Sequence, residues 1–337
     1  MTTLATDPFS SVIDQRARDR AAGTWQNILV DIDGGRATVT INRPRVYNCF
    51  DYLTLLELSE VFHDLGRTPD VHVVVLTGAG DKAFCTGADL VEQRDVLAPN
   101  PQHYYTWMGA FIDVHDRLRN IGKPTLARLN GMAVGGGNEF QMACDLSIMA
   151  DHAYIKHVGP YHGSTPAGGA TQWLTLFVGE RKAREIIWLG EEIPAQQSLD
   201  WGLVNKVVPA AELDAAVAAM VARLLQTLPE TIRYTRTQTN FWKDFSWYQT
   251  IHHARDWLTL HTAAPEVQAA VRSFTNKTSL DAVTIHARHN TPLGAYEHGA
   301  PRTTCGHCGT AGLPETFTYC GACGHALTSS TAATQGA

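Results

Sequence analysis

The chain has 337 residues, 44% of them hydrophobic, and a formal net charge of −6. That length and apolar share support a sizeable core in one or two domains. The acidic balance argues against a nucleic-acid partner, and no apolar run approaches the roughly 20 residues of a membrane span, so a cytoplasmic protein with no membrane partner is expected.

Residues 1–24 are polar, without the apolar stretch of a signal peptide, and read as a flexible leader. Asn27–Asp33 and Arg36–Asn42 flank Gly34-Gly35, the pattern of a β-hairpin. Tyr52–Leu65 spaces its leucines, Val61 and Phe62 at helical period, and the apolar run Val71–Leu76 predicts a buried strand. A strand–helix–strand succession implies a right-handed parallel crossover. Asn100–Arg119 reads as an aromatic-rich helix and Pro124–Leu129 as a strand. Strands at Leu146–Met149 and Ala153–Val158, helices at Thr171–Val178 and Glu180–Leu189, and an apolar edge at Leu203–Val208 complete a layered α/β core. From about 211 to 283 the pattern is mainly helical. Tyr234, Phe241, Trp242, Phe245, Trp247, Tyr248 and Trp257 are expected in the core or at a subunit interface. Residues 284–304, with Pro292, Gly294, Gly299 and Pro301, read as a linker.

The densest chemical signal is Asn130-Gly131-Met132-Ala133-Val134-Gly135-Gly136-Gly137-Asn138-Glu139, running into a helix. Consecutive glycines admit positive φ and let a ligand approach backbone N–H groups, and a helix start aims unpaired N–H groups at an anion. A second strand-to-helix junction, Lys82–Leu90, also carries small residues. Two N–H donors from two loops are what a thioester oxyanion hole requires.

These motifs, with Gly168-Gly169-Ala170-Thr171-Gln172 and Trp201-Gly202-Leu203-Val204-Asn205, resemble the crotonase (enoyl-CoA hydratase/isomerase) superfamily over about residues 25 to 283. The resemblance implies a spiral of ββα repeats with a C-terminal helical region, an acyl-CoA substrate bringing coenzyme A to the site, and a homotrimer or hexamer. It places the oxyanion-hole N–H groups at Ala88 and Gly136 and the first hydratase glutamate at Glu139. Lys277 resembles a lysine that meets the CoA phosphates and adenine from a neighbouring subunit. The second hydratase glutamate falls on Gly159, which removes ordinary two-carboxylate hydration.

Val158–Ser164 is similar to dihydroxynaphthoyl-CoA synthases, but Pro166 stands at that group's aspartate position. Gly122–Asp145, Gly168–Leu174, Gly190–Ile193 and Asn240–Asp244 are closer to ring-opening 6-oxocyclohex-1-ene-1-carbonyl-CoA hydrolases. That resemblance implies hydration and hydrolytic C–C cleavage of a cyclic oxo/enoyl-CoA. Glu139 would act as acid or base, and Tyr161 and His162 would polarise the ketone or shuttle a proton. An enoyl-CoA hydratase or isomerase on another acyl chain is the alternative within this class. A weakly active scaffold of the same fold is the alternative outside it.

Cys49, Cys85 and Cys144 read as small buried side chains of a reducing compartment. Cys305-Gly306-His307-Cys308 and Cys320-Gly321-Ala322-Cys323 form a paired CxxC set within residues 305–326. Four thiolates in two tight turns predict a structural zinc ribbon, ahead of rubredoxin-like iron and of a redox dithiol, with His307 and His325 outside the ligand shell. A protein partner docking on this ribbon, or a ribbon covering the CoA entrance, is expected.

Overall fold

The computed structural model describes residues 7–262, 264–279, 281–289, 302–314 and 317–327. The chain divides into two compact units, Met1–Thr259 and Leu260–Ala337.

The first unit opens with α1 (Pro8–Ala22), where a loose leader was expected. Asp7 caps it, Pro8 presets its first turn, the Phe9 ring packs on Tyr52 at 4.1 Å, and buried Arg16 pairs with Glu60 at 2.8 Å. These contacts with later segments order a stretch whose own sequence is polar. Strands β1 (Ile28–Asp33) and β2 (Arg36–Ile41) form the expected hairpin, Ile28 opposite Ile41. Helix α2 (Tyr52–Arg67) is capped by the Asp51 carboxylate, which accepts the Thr54 N–H at 2.8 Å. Its Leu55, Leu58, Phe62 and Leu65 face the core.

A repeating pattern follows, in which one strand enters a large sheet and the next a small one. Strand β3 (Val73–Gly78) is followed by β4 (Ala83–Cys85), α3 (Leu90–Glu92) and α4 (Pro101–Arg119). The pair β5 (Thr125–Leu129) and β6 (Met132–Val134) leads into α5 (Gly136–Ala143). The pair β7 (Leu146–Ala150) and β8 (Tyr154–Lys156) leads into the short α6 (Gly159–His162). Helices α7 (Ala170–Val178) and α8 (Glu180–Leu189), strand β9 (Ile193–Pro194), helix α9 (Ala195–Asp200) and strand β10 (Lys206–Val208) close the core. The large sheet has the order β1-β2-β3-β5-β7-β10 and the small one β4-β6-β8-β9. From β2 to β10 the large sheet is parallel, and its strands are largely buried, as parallel strands covered on both faces must be. This is the expected mixed α/β spiral.

Helices α10 (Leu213–Leu225), α11 (Pro229–Thr239) and α12 (Phe241–His261) follow. Of the aromatic group expected in the core or at an interface, Trp247 is fully buried beside Trp173. Tyr234, Phe241, Trp242, Phe245, Tyr248 and Trp257 are exposed. Cys49, Cys85 and Cys144 are buried free thiols.

The second unit carries α13 (Pro265–Asn276), α14 (Ala282–His289) and the two-stranded pair β11 (Arg302–Thr303) and β12 (Leu313–Pro314). The expected linker is therefore helical over its first part, Thr284 to His289, and residues 290–301 of it lie outside the described residues. Among the described residues no helix is long and apolar enough to cross a membrane.

Candidate active site

The two glycine-bearing loops meet because β4 and β6 are parallel neighbours, with Ala83 opposite Met132 and Cys85 opposite Ala133. Parallel strands release their chains at the same end, so Gly87-Ala88 and Gly135-Gly136 emerge side by side. Gly87 has φ +89°, and a Cβ on it would lie 3.2 Å from the Gly136 nitrogen. At Gly137 a Cβ would lie 2.0 Å from the Cys85 carbonyl oxygen, an approach that only glycine allows. Asn130 ties the junction together: its Nδ2 donates to the Gly80 and Ala83 carbonyls at 2.8 and 2.9 Å. On the other loop, Phe50 and Ala88 form a parallel bridge, the Asp89 N–H donates to the Phe50 carbonyl, and Arg43 holds the Asp89 carboxylate at 3.0 Å. Ala88 and Gly136 keep their own N–H groups without an acceptor among the described residues.

Glu139 lies in the first turn of α5, one turn beyond Gly136, and is 3% exposed. Its Oε1 accepts the Gly168 N–H at 2.7 Å and the Ala170 N–H at 3.0 Å. Burial pushes its pKa up to about 7, against the opposing pull of those two N–H groups. A carboxyl group so tuned exchanges a proton near neutral pH.

An aromatic wall borders the two glycine loops and reaches this carboxylate at Phe111. Tyr104, Trp107 and Phe111 follow i, i+3, i+7 spacing along α4, so they share one helix face, and all three are buried. The Phe111 ring stacks on Phe50 at 5.2 Å and on Trp107 at 5.5 Å. A Cβ at Gly136 would strike Phe50 Cζ at 2.6 Å, and one at Gly168 would meet Phe111 Cζ at 2.6 Å and Glu139 Oε2 at 2.7 Å. Tyr104 belongs to the same cluster. Burial pushes its phenol up to about 12, the Ser164 side chain pulls the other way, and the Glu139 charge adds to the rise. No motif marks Tyr104, Trp107 or Phe111 in the sequence; their helical spacing on one face is the signal that points inward.

The other sequence-derived candidates are placed differently. His162, on α6, is largely buried with Nδ1 at 3.1 Å from the Val158 carbonyl, and burial lowers its pKa, which keeps it neutral at pH 7. The Tyr161 hydroxyl donates to the Leu189 carbonyl at 2.6 Å and the residue is half exposed, so that hydroxyl is already engaged. Gly159 opens α6 against the Ser164 carbonyl oxygen, which a Cβ would meet at 2.4 Å. The backbone therefore closes the position where a second glutamate was looked for.

In the second unit, Lys277 is exposed at the C-cap of α13 with φ 54°. Cys305, Cys308, Cys320 and Cys323 gather their sulfur atoms within 4.8 Å of one another. Both Cys305–Cys323 and Cys308–Cys320 have Sγ separations of 3.7 Å, and a tetrahedral metal with bonds of about 2.3 Å needs edges of about 3.8 Å. The two turns are built alike: the Gly309 N–H donates to the Cys305 carbonyl and the Gly324 N–H to the Cys320 carbonyl, with φ +73° at both glycines. The cluster is thus shaped to bind a metal ion. His307 and His325 stack on each other with ring centroids 3.4 Å apart.

Residues 31–281 match the family model described as enoyl-CoA hydratase/isomerase. Among solved structures, the chain is similar to an enoyl-CoA hydratase from Mycobacterium avium subsp. paratuberculosis K-10, with TM-score 0.69 and 24% identity over 76% of this chain and 98% of that one. It is also similar to an enoyl-CoA hydratase from Bacillus anthracis, with TM-score 0.60 and 27% identity over 76% and 98% of the two chains. Pseudomonas aeruginosa PA4980 is similar at 34% identity and TM-score 0.58, over 63% of this chain and 89% of that one. The family match covers both glycine loops, Glu139 and the strands that carry them, and the chain belongs to the enoyl-CoA hydratase/isomerase family.

Proposed function

We propose that this protein acts on an acyl-CoA thioester by stabilising its enolate, with the Ala88 and Gly136 N–H groups as the oxyanion hole and Glu139 as the one acid–base carboxylate. The observation that carries this is the buried Glu139, with its pKa near 7, one turn from an unpaired Gly136 N–H. As the thioester oxygen gains charge, two preorganised donors in a water-poor site strengthen their hold on it, and each is worth a few kcal/mol, about 3. Glu139 takes the proton from the attacking water or from the α-carbon and returns it to the product.

Within that chemistry, the favoured substrate is a cyclic oxo/enoyl-CoA. Water adds across the conjugated double bond, hydroxyl to the β-carbon and proton to the α-carbon. A second water then attacks the ring ketone, and the C–C bond breaks with its electron pair passing into a thioester enolate that Glu139 reprotonates. The absence of a second carboxylate at Gly159 and the aromatic wall of Phe50, Trp107 and Phe111 support a flat, cyclic acyl group. Simple hydration or isomerisation of another enoyl chain is the second reading, favoured by the hydratases among the similar structures. Incubation with cyclic and linear enoyl-CoAs in labelled water separates them: two waters incorporated support ring opening, one supports hydration, none with the double bond moved supports isomerisation, and unchanged substrate removes both readings.

Lys277 of a neighbouring subunit is proposed to meet the CoA phosphates, and a trimer or hexamer to form through exposed aromatic side chains such as Phe241, Trp242 and Phe245. For the cysteine cluster we propose structural zinc, because four thiolates satisfy a closed tetrahedral shell and leave no open position. Zinc would supply folding energy to a segment too short for a core.

A further inference from the structure

A cavity of about 480 Å³ lies at the far end of the helix that opens on Gly136. Gly136 and Glu139 belong to the first turn of α5, whereas Gln141, Cys144 and Asp145, in and just beyond its last turn, line the cavity. Gly136 and Met142 are about 9 Å apart along the helix axis. None of Ala88, Gly136 and Glu139 is among the lining residues, and a space of this size holds a small organic molecule. Its walls carry apolar Phe177, Leu203 and Ile232 and three charged groups, Asp145, Arg236 and Lys243. The Arg236 Nε donates to the Asp145 carboxylate at 2.7 Å, so those two charges offset each other. The Lys243 ammonium donates to the Met142 carbonyl at 2.9 Å and lies over the Phe177 and Trp173 rings at 5.1 and 5.5 Å, with no carboxylate within 4.0 Å among the described residues. An ammonium with one neutral acceptor has two N–H donors to spare, and a charge withdrawn from water is stabilised by an opposite one.

We propose that this cavity is a binding site for a small organic carboxylate, its anionic head on the Lys243 ammonium and its apolar body against Phe177, Leu203 and Ile232. The site goes beyond the enolate reading and does not depend on it. One unpaired positive charge suits a monoanion, and the Asp145 carboxylate on the same wall disfavours a more highly charged ligand such as phosphate. The apolar lining favours a hydrocarbon body over a small hydrophilic ion. Burial lowers the Lys243 pKa to about 8 while Asp145 pulls the other way, so at pH 7 the amine is mostly protonated yet poorly hydrated, the condition in which a carboxylate partner counts most. Binding makes no covalent bond, and the amine keeps its proton.

Isothermal titration calorimetry of the full-length protein at pH 7 tests this with cyclohexanecarboxylate, using cyclohexanecarboxamide and inorganic phosphate as controls. One carboxylate per chain is expected, with Kd of about 0.1–1 mM, and the amide and phosphate should bind at least about 10-fold more weakly. Lys243→Met is expected to weaken the carboxylate at least about 10-fold. Ile232→Trp, which fills the cavity from a partly exposed position on α11 and leaves the charged groups in place, should do the same. Glu139→Gln is expected to bind the acid as wild type does, and saturating butyryl-CoA should not displace it. The assignment is overturned by the absence of saturable binding, by equal binding of the amide or of phosphate, or by wild-type affinity in either cavity variant. Displacement by butyryl-CoA, or loss of binding in Glu139→Gln, would put the acid in the acyl site and overturn it as well. A protein that takes up the acid in this pattern but binds no butyryl-CoA would remove the enolate reading and leave the cavity assignment standing on its two variants.

Discussion

The Glu139 carboxylate accepts the Gly168 N–H at 2.7 Å through Oε1, while Oε2 lies where a side chain at residue 168 would begin, 2.7 Å from an added Cβ. One backbone turn thus fixes one oxygen and clears space beside the other. The Ala170 N–H gives the carboxylate a second fixed donor.

Glu139→Gln keeps an acceptor for both N–H groups but cannot take a proton. Turnover is expected to fall by about 10³-fold with acyl-CoA binding retained. Glu139 has its folded pKa raised from 4.5 to about 7, so the folded state holds the proton more tightly than the unfolded chain does. Its contribution is fully present below pH 4.5 and is lost as pH rises through 7, by up to about 3 kcal/mol. The Gln variant should therefore be the more stable protein at pH 8 and differ little at pH 4.5, as read by urea unfolding. In wild type, kcat/KM should climb with pH to a plateau above about 7.

Gly87→Ala tests the oxyanion loops. The new methyl enters the left-handed region at φ +89° and presses on the Val134 carbonyl oxygen and the Gly136 nitrogen at 3.1 and 3.2 Å. A loss of about 100-fold in kcat with a smaller change in KM is expected, because the donors are displaced where charge develops. Steady-state kinetics on any accepted enoyl-CoA would check it.

Restoring the second hydratase carboxylate by Gly159→Glu should not create a faster hydratase. Its Cβ would collide with the Ser164 carbonyl oxygen at 2.4 Å. The expected outcome is a destabilised protein, by about 1–3 kcal/mol, with hydration no faster than wild type. Thermal unfolding and a hydration assay together decide the matter.

Metal removal should act on the cysteine cluster. One equivalent of zinc per chain is expected by elemental analysis, and Cys305→Ser or a strong chelator should release it. Calorimetry should then show loss of the metal-dependent transition, with the transition of the unit ending at Thr259 retained.

His115 makes acid sensitivity measurable. Its Nδ1 lies 2.8 Å from the Phe111 carbonyl, its Nε2 has no partner among the described residues, and burial pushes its pKa from 6.5 down to about 3. Above pH 6.5 both folded and unfolded chains leave it neutral. Below that the unfolded chain binds the proton first, so stability falls, by about 2 kcal/mol between pH 7.5 and 5. His115→Leu should flatten that part of the pH–stability curve.

Local sequence determined the hairpin around Gly34-Gly35, the amphipathic helix Tyr52–Arg67, the glycine loop before Glu139 and the two matching CxxC turns. Each depends on periodicity or backbone freedom within a few residues. Tertiary structure decided the rest. The polar leader became α1 through Phe9 and Arg16, whose partners lie on or beside α2. Tyr161 turned its hydroxyl to Leu189, whereas Tyr104, marked by no motif, was buried beside Trp107. Such meetings follow from strand order and helix packing between distant segments. A local pattern can say that a side chain faces inward; which group waits there is set by the path of the spiral.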